Sequence, residues 1–101
     1  MSAPHYMVFE VDLKTDDWVP AYQEGAPPVL ANYGGKYLAL TPTPERLEGD
    51  GGVPTFMAIV EFPDKASADG FYHSDGYHPH RLARLEGADN NAFSLPGMVD
   101  A

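Results

Sequence analysis

Thr55-Phe56-Met57-Ala58-Ile59-Val60-Glu61-Phe62, followed at once by Pro63-Asp64, is the stretch on which the fold turns. Phe56, Ala58, Val60 and Phe62 alternate with Met57, Ile59 and Glu61, which is the period of a β-strand. Both sets are largely apolar, so this strand must be covered twice, once by helices of its own chain and once by something else. Downstream, Pro63-Asp64 opens a helix from about Lys65 to Tyr72 with Ala68, Phe71 and Tyr72 as its inward stripe. Ser74-Asp75-Gly76 interrupts it. A second helical piece runs from about Pro79 to Glu86, with Leu82 and Leu85 on one face, Arg81 and Arg84 on another, and Gly87 as its cap. Asn91 to Leu95 reads as a short last strand, and Pro96 to Ala101 as a tail.

Upstream, Gly49-Asp50-Gly51-Gly52-Val53-Pro54 is a loop, because Gly and Pro dominate it and nothing apolar repeats. Lys36 to Thr41 before it reads as a strand, and Pro42 and Pro44 make any continuation toward Glu48 an edge or a bent extension. Gly34-Gly35 stops the preceding helix. That helix carries a stripe of Trp18, Val19, Tyr22, Ala26, Val29, Leu30 and Tyr33, with N-cap candidates in Thr15-Asp16-Asp17 and Pro20 in its first turn. Pro27 and Pro28 remove backbone donors inside it, which predicts a kink or two shorter helices. His5 to Asp12 alternates as the first strand, with Met7, Phe9 and Val11 on one face. The order strand, helix, strand, strand, helix, strand is the split βαβ arrangement: an α+β, ferredoxin-like βαββαβ fold with a four-stranded antiparallel sheet and two helices on one face. The sheet's other apolar face predicts a homodimer through that face.

With 101 residues the chain suits one domain spanning 1–101, whose core gains from a partner subunit. Fifteen Asp plus Glu against six Lys plus Arg give a net charge of −9, which disfavours nucleic acid because such affinity comes from cations neutralising phosphates. The absence of cysteine removes disulfides, thiolate metal sites and cysteine nucleophiles, and favours a cytoplasmic setting. No basic segment followed by a long apolar run begins the chain, so neither an export signal nor a membrane span is expected.

Few residues carry chemistry. His73, Asp75, His78 and His80 are metal-ligand types, but their spacing matches no established site, and positions 78 and 80 of one helix point roughly 200° apart. No metal is expected. His73 ends an aromatic helix face and is the candidate acid or base, with Glu61, a carboxylate in the most apolar strand, beside it. Arg81 is the candidate anchor for a carboxylate or enolate, although Arg81 and Arg84 would equally offset a helix C-terminus. Tyr33, Tyr37, Tyr72 and Tyr77 are candidate pocket walls or, on the plainer reading, core aromatics. Gly49 to Gly52 lacks the lysine and helix of a phosphate loop.

Asn32-Tyr33-Gly34-Gly35-Lys36-Tyr37-Leu38, Leu47-Glu48-Gly49-Asp50, Ile59-Val60-Glu61-Phe62-Pro63-Asp64, and Phe71-Tyr72-His73-Ser74-Asp75-Gly76-Tyr77 with Arg81 downstream closely resemble the domain-of-unknown-function family 1330. The match runs from the first strand nearly to the end of the fourth. The resemblance implies a dimeric α/β barrel, in which two ferredoxin-like protomers pack their sheets together and each holds a small pocket between sheet and helices. Relatives of that architecture include cofactor-free monooxygenases, isomerases and haem enzymes. His73 stands where family members commonly carry Asn, and His78 where they carry Gln or a similar residue, so these histidines are not family chemistry. Two functions are open: a cofactor-independent enzyme acting on a small organic acid or phenolic compound, and a non-catalytic small-molecule-binding or stress-associated dimeric module. Convergence of His73, Glu61 and Arg81 around an enclosed cavity is the mark of the first.

Overall fold

Nine residues of alternating burial, from His5 to Leu13, form β1 at the middle of the sheet, with Met7, Phe9 and Val11 turned inward. The computed structural model describes residues 3–98. The other elements are α1 (Val19–Asn32), β2 (Lys36–Thr41), β3 (Phe56–Phe62), α2 (Lys65–Tyr72), α3 (His78–Gly87) and β4 (Ala88–Pro96). The four strands pair antiparallel in the order β2-β3-β1-β4, the ferredoxin-like arrangement. Because β1 and β3 are both central, their inward residues form the floor of the core, where Val60 and Phe62 meet Leu30 and Ala26 of α1 and Phe71 and Ala68 of α2. Burying such a side chain contributes roughly 1.5–3 kcal/mol.

Several local expectations need correction. α1 is one continuous helix through Pro27 and Pro28, not two shorter ones. The carbonyls that lose their donors four residues back belong to the exposed Gln23 and Glu24, where water can replace the missing bonds. Its N-cap is Trp18, with no side-chain cap, instead of Thr15, Asp16 or Asp17. The chain enters through a turn in which the Val19 N–H donates to the Asp16 carbonyl at 3.2 Å, so backbone does what a carboxylate was expected to do. β4 begins at Ala88, three residues before Asn91, and includes Pro96. Of the expected tail, Gly97 donates to the Pro4 carbonyl at 2.7 Å, and residues 99–101 lie outside the described residues.

Gly87 ends α3 without a left-handed turn, since the C-cap Ala88 is extended. The Trp18 indole sits where a Gly87 Cβ would project, 2.2 Å from its Nε1, and that nitrogen donates to the carbonyls of Thr15 and Gly87 at 2.9 and 3.2 Å. Close approach is what this glycine permits. Gly34, by contrast, has φ +77, and the amides of Gly34 and Gly35 donate to the carbonyls of Ala31 and Leu30. This is the left-handed stop expected after α1.

Candidate ligand-binding site

Between the helix-facing side of the sheet and α1 lies a cavity of about 250 Å³, with Phe71, Tyr77 and Arg84 among its lining residues. Its floor follows from strand alternation: Phe9 and Val11 of β1 and Phe56, Ala58 and Val60 of β3 all point to this side. The contribution of β2 needs an irregularity. Tyr37 pairs with Val60 and Leu40 with Ala58, the register shifting between Tyr37 and Ala39. Regular alternation would send Tyr37 and Leu40 to opposite faces. The bulge turns both toward the cavity, which they line.

The walls are apolar and aromatic, and the polar groups are few. The Tyr22 and Tyr77 hydroxyls are 2.5 Å apart and share a hydrogen bond. Burial pushes the Tyr22 phenol well above its ordinary pKa, and the neighbouring Tyr77 adds to the effect. Burial likewise raises that of Tyr37, again with help from Tyr77. Tyr22 and the partly exposed Tyr37 therefore keep their protons at neutral pH and are available as hydrogen-bond donors, not as bases.

The unusual member is Arg84, 2% exposed. Its Nη1 donates to Asn90 Oδ1 at 2.9 Å, and its Cζ lies 5.0 Å above the Phe9 ring centroid, a cation–π contact. Its Nε and Nη2 are buried with no hydrogen-bond partner among the described residues. The ion pairs among the described residues belong to Lys14, Lys36 and Lys65, and none involves Arg84. Burial works against the charge, but the Tyr77 hydroxyl, which approaches the guanidinium without completing a hydrogen bond of good geometry, and the nearby Tyr22 phenol favour it, so that its pKa lies above the ordinary arginine value.

The expected site residues are scattered. Tyr37 and Tyr77 line the cavity. Tyr33 is exposed at the end of α1, edge-on to Phe71. Tyr72 turns into a separate groove of about 300 Å³ over β4, shared with His73, Asp69 and Ser94, and packs beneath the Arg81 guanidinium at 5.1 Å. Arg81 also donates to the Tyr72 carbonyl and contacts His78 Nδ1 at 3.2 Å. Glu61 pairs with Tyr6 of β1, on the opposite face of the sheet from Val60 and Phe62, and meets Lys36 at 3.3 Å. The expected convergence of His73, Glu61 and Arg81 is thus absent: strand alternation sends Glu61 away from the helices, and α2 ends before His73 can reach the cavity. His80 packs edge-on to Tyr22, and among the described residues no group of three His, Asp or Glu is placed to hold a metal.

The residues that sequence reasoning missed are Tyr22 as a polar partner, Arg84 and Asn90. Arg84 had a signal: it follows Tyr77 by seven residues, two helical turns, so the two share a face of α3. The same geometry leaves Leu82 and Leu85 41% and 47% exposed. Asn90 had none, since only pairing opposite Val11 turns it toward Arg84.

A family model described as Domain of unknown function (DUF1330) matches residues 4–98. Among solved structures, the chain is similar to a protein of unknown function from Rhodopseudomonas palustris, at 19% identity and a TM-score of 0.79, covering 99% of this chain and 86% of that one. SnoaB, a cofactor-independent oxygenase from Streptomyces nogalater, matches at 12% identity and a TM-score of 0.69 over 98% and 97% of the two chains. A dimeric ferredoxin-like protein of unknown function from Jannaschia sp. CCS1 matches at 14% identity and a TM-score of 0.63 over 91% and 97%. At these identities the likeness shows the fold alone. The curated proteins contain no match.

Proposed function

This chain belongs to the family Domain of unknown function (DUF1330), and from the site it carries we propose that it is a homodimeric protein that takes a small, largely apolar organic acid or phenolic compound into the cavity and acts on it without a cofactor. The carrying observation is Arg84, a cation at 2% exposure with two unpartnered donors in the wall of an apolar cavity. A buried cation with no carboxylate partner among the described residues and two unused donors leaves hydrogen-bonding capacity unspent in the empty protein, so its placement makes sense when an anionic oxygen of a ligand completes it. Among such apolar walls a fixed charge and fixed phenol donors stabilise a developing oxyanion where water is kept away from it. Arg84 would hold the oxyanion, and the Tyr22–Tyr77 pair would donate to it and carry a proton. SnoaB supports the cofactor-free reading by likeness of fold.

The second reading, a binding module without turnover, is favoured by a different observation: among the described residues no carboxylate or imidazole lines the cavity, so they supply no ordinary general base. One measurement addresses both. Trp18 is the single tryptophan and lines the cavity, so its fluorescence should change saturably when naphthoate or naphthol is titrated in, and Arg84→Met should abolish the response to naphthoate. A flat titration with both probes would reject the site. Mass spectrometry of naphthol after aerobic incubation separates the readings, since an oxygenated product supports an enzyme and full recovery supports a module.

The homodimer rests on the uncovered sheet face, where Ile59, Val8 and Phe93 lie opposite one another across β3, β1 and β4, with Leu95 two residues further along β4 on the same face, and Ile59, Phe93 and Leu95 are exposed. Apolar patches of this kind mark interfaces, and the Jannaschia neighbour is dimeric.

A further inference from the structure

Resting on the cavity as the ligand site, we infer that it selects carboxylates, gripped side-on by Nε and Nη2 of Arg84, with Asn90 as the positioning residue that keeps the cation uncancelled. The guanidinium is fixed on two sides, by Asn90 Oδ1 accepting from Nη1 at 2.9 Å and by the Phe9 ring beneath its plane. The two nitrogens left without partners, Nε and Nη2, form one edge of the guanidinium, where two N–H bonds run parallel. That edge matches the two oxygens of a carboxylate, whereas a phenol or an amide offers one.

Asn90 is held so that only its oxygen can face the arginine, because its Nδ2 donates to the carbonyls of Arg84 and Ala88 at 3.1 and 3.0 Å. An aspartate there would anchor Nη1 equally well, but it would neutralise the charge and lose both donors. The neutral amide therefore orients the cation without consuming it. The cavity's hydrocarbon lining, including Phe56, Leu40 and Pro27, suits a flat apolar body behind the carboxylate.

Calorimetric titration of naphthoate, naphthol and naphthamide of the same ring position, at neutral pH, tests this. Naphthoate should bind at least about tenfold more tightly than either neutral analogue, the discrimination shrinking in Arg84→Lys, whose ammonium keeps the charge but has no fork, and vanishing in Arg84→Met. Asn90→Asp should weaken naphthoate about tenfold or more while leaving naphthol within about threefold. Naphthol or naphthamide binding the native protein as tightly as naphthoate overturns the carboxylate inference but leaves the cavity reading intact. Failure of all three to bind overturns both. Equal weakening of naphthoate and naphthol in Asn90→Asp reduces Asn90 to a structural residue. The comparison on the native protein decides even if a variant does not fold.

Discussion

Arg84 sits at 2% exposure with no carboxylate of the described residues paired to it, and a single residue so placed sets function against stability. Even a complete buried ion pair can often be replaced by apolar residues of similar volume at no cost or with a gain of ~1–4 kcal/mol, and Arg84 lacks the pairing carboxylate. Arg84→Met should therefore raise the melting temperature of the ligand-free protein, at ~4–8 °C for each kcal/mol in a domain of this size. Differential scanning calorimetry reads this directly, and a fall of several degrees would mean that Asn90 and Phe9 compensate the charge fully. Gly87 shows the same local dependence. Its sequence position after α3 reads as a cap, yet the Trp18 ring needs the room a Cβ would fill, and no pattern within α3 reports a residue 69 positions away.

At the scale of elements, α2 starts as its sequence demands, with Asp64 extended and its Oδ1 accepting from the Ser67 N–H at 2.7 Å. That hydrogen bond lowers the Asp64 pKa below its ordinary 3.8. A carboxyl with a depressed native pKa contributes stability that is fully present above the unfolded value and lost as pH falls through the native one. Asp64→Ala should accordingly melt below the native protein at neutral pH, and the gap should close in acid as Asp64 protonates. A gap that persists unchanged through that range would assign the cap's effect to something other than the ionised carboxylate. Strands β1 and β3 were legible because alternation alone places their residues. The bulge in β2 was not, because Lys36 to Thr41 contains no Gly or Pro to mark it, and only pairing with β3 shows the shift.

For the whole molecule, the proposed dimer has the clearest consequence. Placing a charge in the uncovered face should prevent sheet-to-sheet packing without touching the core, as Ile59 is 37% exposed in the single chain. Native protein should sediment at twice the 11.0 kDa chain mass, and Ile59→Glu at the chain mass itself, with helical and sheet content unchanged by circular dichroism. A native protein that is monomeric at micromolar concentration would leave the apolar face unexplained and remove the dimer. The interface should exceed the ~800 Å² total below which most crystal contacts fall.

By itself the sequence determined the order of elements, the inward faces of β1 and β3, the stop at Gly34-Gly35 and the family, because each depends on neighbours within a few residues or on a motif that can be read directly. Only the tertiary structure decided the site. Glu61, His73 and Arg81 are the chemically conspicuous residues, yet alternation sends Glu61 to the far face of the sheet, and the end of α2 leaves His73 and Arg81 around Tyr72, outside the cavity lining. Tyr22, Tyr37, Tyr77 and Arg84 come from α1, β2, the turn before α3 and α3 itself, and they meet because the antiparallel pairing of β2 with β3 and the packing of helices over the sheet close a cavity there. A residue's type fixes what it can do, and burial against distant parts of the chain fixes whether it is placed to do it.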